Sequence, residues 1–135
     1  VIALVRWQTI ENRSWRTDHR GPLLIHSSAR LRRDEYEAAY SFCQRKELKQ
    51  PPSKSSCVCG KILGVVCVDE MVSSSRSGKS PWHVSGQWGW RLTRPYRFEH
   101  PMGEKGSLGL WTVEDYVVEE HLPSQLSQYV ADYDG

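Results

Sequence analysis

The run TIENRSWRTDHR, residues 9–20, concentrates side chains able to handle a charged, flat ligand. Gln8, Ile10, Asn12 and Ser14 alternate with Thr9, Glu11, Arg13 and Trp15, the period-2 pattern of a strand with two unlike faces. Glu11 and Arg13 then project from one face, roughly 7 Å apart at Cα. An arginine there offers its planar fork to a phosphate or to the carbonyl edge of a base. Glu11 could accept from an exocyclic amine or orient Arg13, and a partly buried ion pair that merely braces the strand is the plainer alternative. Thr9 and Glu11 are the candidates for any catalytic role at this site, with Asp69 or Glu70 as a further carboxylate.

An aromatic supply accompanies this face. Trp15, Trp82, Trp88, Trp90 and Trp111 are interleaved with Arg16, Arg91, Arg94 and Lys105. Indole rings stack on bases and arginines meet phosphates, but tryptophan is also the largest core filler. Trp88 and Trp90 share a strand face, and at least one is expected in the core, as is Trp111 within LGLWTV. Trp82, which follows a serine-rich stretch, and Trp15 are the expected walls of a ligand pocket. The candidate ligand-binding set is Gln8, Thr9, Glu11, Arg13, Trp15, Arg16, Trp82, Arg91 and Lys105. Arg30, Arg32 and Arg33 form a second basic cluster, readable as a phosphate contact or as a solvated loop. The five histidines lack metal-ligand spacing, and neither GQWGW nor KGSLG is a phosphate-cradling loop, so no metal and no cofactor are expected.

Charge is unevenly spread. The whole chain of 135 residues has a formal net charge of +2, but residues 114–135 hold six carboxylates and no Lys or Arg. The rest carries all 18 basic side chains against 10 acidic ones, a body that attracts polyanions in a salt-dependent way. Cys43, Cys57, Cys59 and Cys67 include one C-x-C pair, a poor zinc pattern, and free thiols in a reducing cytosol are expected. Apolar runs such as LGVVCV are too short to cross a bilayer, and no secretory signal opens the chain. The sequence starts on Val1, and the N-terminal part of the domain is expected to be incomplete.

The elements that would position these groups are short. VIALVRW at 1–7 suits the end of a helix, 8–15 a strand, and PLLIHSS a buried strand after the turn RTDHRG. From Asp34, an N-cap candidate, Tyr36, Ala39, Tyr40 and Cys43 recur at helical spacing, with Arg45 and Lys46 at the C-terminal end. Residues 49–60 read as a loop, 61–72 as the central strand, 73–81 as a polar loop, and 86–99 and 105–115 as further strands. Pro95 argues against an uninterrupted central strand through 86–99. Leu126, Tyr129, Val130 and Tyr133 give an amphipathic helix after Pro123. Short strands with one helix between the second and third suggest an α+β fold, a small barrel or curled sheet closed by helices.

Three blocks in this order, QTIENRSWRTDHRGPLLIHSS, GKILGVVCVDEMV and WHVSGQWGWRLTRP…KGSLGLWTVED, resemble the ASCH domain of the PUA-like superfamily over residues 1–114. The resemblance implies a β-barrel of about five to six strands with flanking helices, followed by an acidic, helical extension at 115–135. It also implies a cleft whose G-x-K-x-x-E-x-R-like motif aligns with Arg6, Gln8, Glu11 and Arg13. Members bind RNA or other nucleic acid, and some hydrolyse acylated nucleosides or cut RNA. In the amidohydrolase members the catalytic set includes a lysine, which is Gln8 here, and a threonine, whose position is taken by Glu11. A neutral amide cannot act as nucleophile, base or cationic stabiliser, which argues against that chemistry.

The expectation is therefore a cytoplasmic, monomeric module that binds RNA or a modified nucleotide in a basic, Trp-containing cleft and does not associate with membranes. The alternatives are an enzyme on nucleic acid, either a ribonuclease or an acyl-nucleoside amidohydrolase, and a protein-interaction or coregulator domain.

Overall fold

A computed structural model describes residues 9–74, 80–103 and 129. Its elements are β1 (Ile10–Arg13), β2 (Gly21–His26), α1 (Arg33–Arg45), a 3-10 turn (Lys54–Ser56), β3 (Lys61–Val72) and β4 (Trp88–Gly103). The strands form one antiparallel sheet in the order β1-β4-β3-β2, with the helix between the second and third strands in sequence. The fold is thus α+β. Among the described residues the sheet is open: β1 and β2 are its two edges and do not pair, so the expected barrel closure is not seen. The strand expected at 105–115 and the helix end expected at 1–7 lie outside the described residues.

β3 is central because its β-branched run is buried from Ile62 to Val68, as a strand covered on both faces requires. PLLI, by contrast, has side chains that are only half-buried, which corrects the expectation of a buried strand; among the described residues it is an edge strand paired with β3. β4 runs through Pro95, but not as the uninterrupted central strand the proline argued against. Among the described residues β1 covers β4 only at Trp88–Arg91, so Pro95 faces no second ladder there. The pairing with β3 absorbs the proline as a bulge between Thr93 and Tyr96, with Arg94 at φ 51°. Opposite this irregular stretch stands Gly64, where a Cβ would fall 2.2 Å from the Tyr96 carbonyl oxygen. Any side chain there would push β3 and β4 apart.

Alternation along the strands separates two faces. One gathers Ile10, Val72, Cys67, Val65 and Leu24. Phe42, Cys43 and Leu48 pack with Ile10, Val72 and Trp82, which brings α1 to this side. Tyr129, helical and buried, packs further along it with Cys67 and Phe98. Its hydroxyl lies 2.7 Å from the Arg94 carbonyl oxygen, to which it donates, and 3.2 Å from the Cys67 sulfur. The other face gathers Val66, Val68, Trp90 and Leu92, flanked by Leu23, Ile25, Met71 and Trp88.

Asp34 is not the helix N-cap. Arg32 occupies that position without a side-chain cap bond, and Asp34 sits in the first turn. There its two carboxylate oxygens accept from Arg32 Nε at 3.1 Å and Nη2 at 2.7 Å. The arginine holds the Asp34 carboxyl below its usual range. The bidentate pair with Arg32 is the larger influence on this carboxylate, ahead of backbone N–H bonds from Glu35 and Asp34 itself.

Candidate functional site

β1 is four residues long, and its register against β4 decides what surrounds the Glu11–Arg13 pair. Glu11 stands opposite Trp90 and Arg13 opposite Trp88, so both pairs share the face away from α1. Arg13 Nε lies 3.2 Å from Glu11 Oε1; the Glu11 side chain is 18% exposed and that of Arg13 38%. The pair is therefore half-sunk rather than sealed. Arg13 meets the carboxylate through its edge nitrogen, and the rest of the side chain stays partly in solvent.

Just beyond β1 the chain folds back over this face. Trp15 meets Trp90 edge-to-face, with centroids 4.9 Å apart, and the Trp90 indole N–H donates to the Trp15 carbonyl at 3.1 Å. Trp90 itself is 3% exposed, whereas Trp15 is 39% exposed. The anchored Trp90 thus fixes a partner that remains in water. Arg16 lies over the half-buried Trp88, its guanidinium carbon 5.2 Å from the ring centroid. A cation–π contact this exposed contributes about 0.5–1 kcal/mol. Glu11, Arg13, Trp15, Arg16, Trp88 and Trp90 therefore form one continuous patch.

Other members of the sequence-derived set fall elsewhere. Trp82 is not a pocket wall: it is 8% exposed and packs with Ile10, Cys43 and Phe42 on the helix side. The segment carrying it is pinned by Asn12, whose amide donates to the Trp82 carbonyl at 2.8 Å and whose side-chain oxygen accepts from Val84 N–H at 2.8 Å. Arg91 stands opposite Ile10 and Glu70, one residue off the face of Glu11, and pairs with Glu70 at 3.0 Å. Asp69, left unmatched by the irregularity between Val68 and Glu70, is 3.9 Å from the same guanidinium. These carboxylates serve Arg91 on the surface and are away from Glu11. Thr9 is exposed, with its hydroxyl 3.5 Å from that of Ser80. Gln8 and Lys105 lie outside the described residues.

His83 is buried beside Trp82, and its ring closes over Gly89, where a Cβ would come within 2.9 Å of it. Nε2 must donate to the Gln87 carbonyl at 2.9 Å, which assigns the proton to that nitrogen. Nδ1 is buried without a partner among the described residues.

Two groups stood outside the expected binding set. Trp88 was counted in the aromatic supply, with at least one of Trp88 and Trp90 expected in the core, and its place opposite Arg13 depends on a strand register that spacing along the chain does not contain. Asn12 was left without a role, although an amide on the apolar face of a strand signals a bond to backbone.

The four cysteines carry free thiols, and burial raises the pKa of Cys43 and Cys57, the latter with a contribution from Cys59. These are not activated nucleophiles. Among the described residues no cluster of three or more His, Cys, Asp or Glu could hold a metal ion, and no helix is long and apolar enough to cross a membrane. Compared with known proteins, the chain matches no family model and no curated protein.

Proposed function

We propose that this chain is an ASCH-type nucleic-acid-binding module, with RNA or a modified nucleotide as its ligand. The observation that carries the reading is the patch on the face of the sheet away from α1. A half-exposed Arg13 stands beside Trp88, and Arg16 and Trp15 extend the same surface. Cations next to exposed indoles supply both the phosphate and the base contacts of a single-strand site. In this reading the open antiparallel sheet is the framework of a PUA-like barrel, residues 1–114 form the domain, and 115–135 are a helical acidic extension. Four free thiols suit an intracellular, reducing location, and the module acts as a monomer.

Catalysis is not part of the proposal. Glu11 is engaged with Arg13, and the Thr9 hydroxyl has Ser80 rather than a base beside it. Incubating wild type and Glu11→Ala with labelled RNA and with acetylated cytidine checks this: no turnover by either is expected, and turnover lost in the variant would establish an enzyme instead.

Binding is tested by titrating a labelled short single-stranded RNA at several salt concentrations. Affinity should fall with salt, by about 0.7 in log–log slope per phosphate contact. Arg13→Ala should weaken binding and flatten the slope by one such step, while Arg45→Ala, at the far end of α1, changes neither. Binding that ignores both salt and Arg13 would refute the proposal.

A further inference from the structure

We propose that Trp88 is the platform on which one unpaired base stacks, and that Arg16 is its displaceable cover. The inference rests on the nucleic-acid reading above and names the class of ligand: a single strand with an accessible base. The guanidinium of Arg16 is flat and delocalised, and at 5.2 Å from the Trp88 centroid it occupies the place a stacked base would take.

The cover is loosely held. The Arg16 side chain is 56% exposed, and among the described residues its ion-pair partner is Asp18 at 3.7 Å, wholly in solvent. Removing it breaks no buried contact. The other tryptophans of the patch are committed: Trp90 is in the core, and Trp15 is held edge-on against it. Arg13, directly across the ladder from Trp88, sits where the phosphate of a base stacked on that indole can reach it. A base inside a duplex has both faces covered by its neighbours, so the platform selects unpaired bases. When a base arrives it takes the position over the indole, and Arg16 transfers from the ring to a phosphate.

The test measures affinity and its salt slope for a short single-stranded RNA, its duplex and an abasic ribose-phosphate oligomer. The proteins are wild type, Trp88→Leu, Trp88→Tyr and Arg16→Gln. Trp88→Leu should weaken single-strand binding roughly 5- to 100-fold, with most of it restored by Trp88→Tyr. Arg16→Gln should flatten the slope by about 0.7, the signature of a lost phosphate contact. Because Arg16 is exposed, that variant decides the matter even if Trp88→Leu fails to fold. An unchanged slope in Arg16→Gln, or equal affinity for the abasic oligomer, would overturn the platform and leave the nucleic-acid reading standing. Failure of wild type to bind any of the three would remove the reading itself.

Discussion

On one side of β1, Ile10 and Asn12 meet Trp82, Phe42 and the chain that runs through Val84; on the other, Glu11 and Arg13 meet Trp88 and Trp90. Both sides use tryptophan and both use a polar strand residue, yet the outcomes differ. Asn12 spends its amide on two backbone groups and closes its side, whereas Arg13 pairs with Glu11 and remains partly in solvent. Trp82 is enclosed by apolar neighbours, while Trp88 is capped by a single surface arginine. The comparison teaches that residue type alone does not separate an enclosed indole from an accessible one. What separates them is enclosure: Trp82 is 8% exposed between α1 and the sheet, whereas Trp88 is only half-buried under an exposed arginine.

The largest expected effect comes from emptying the sealed side. Trp82→Ala should destabilise the fold by about 3–5 kcal/mol in urea denaturation, because a buried ring is removed between α1 and the sheet. A loss under 1 kcal/mol would mean that this side is not closed as described. Asn12→Ala should come next, at about 1–3 kcal/mol, since Val84 N–H and the Trp82 carbonyl each lose a partner. On the open side, Arg13→Ala should change stability by no more than about 1 kcal/mol, as half-exposed ion pairs do. The contrast sharpens if the same variant loses RNA affinity while Asn12→Ala, in its folded fraction, does not.

The smallest effect belongs to Asp34. Its folded-state pKa is depressed, first by the hydrogen bond from Arg32, so the contribution is present above the ordinary carboxylate range and is lost as pH falls through the depressed value. An NMR titration should place its midpoint below that of a free aspartate, and Arg32→Gln should return it upward. The site is fully exposed, so melting curves are expected to move little.

How much of this was legible in the sequence follows from which distances matter. The two-faced alternation of residues 10–13, the buried run of β3 and the helical spacing from Tyr36 to Cys43 are local patterns, and the structure follows them. Pro95 argued against an uninterrupted strand, but where the bulge that takes it in falls depends on the register of β4 against β3, which the sequence does not contain. The side taken by Trp82 was not legible either: Asn12 holds its segment by donating to the Trp82 carbonyl, 70 positions away, and accepting from the Val84 N–H, 72 positions away. Asp34 carried a valid cap signature that a neighbouring arginine outcompeted. The Glu11–Arg13 pair could be read as a unit, but its tryptophan partners needed the register.

The most direct test of the account is a spectrum of the six indole N–H groups, recorded while a short single-stranded RNA is added to ¹⁵N-labelled protein. Trp88 and Trp15 should move with the ligand while Trp82 stays in place, since they stand on opposite sides of one sheet. Shifts confined to Trp82, or spread equally over both sides, would contradict it.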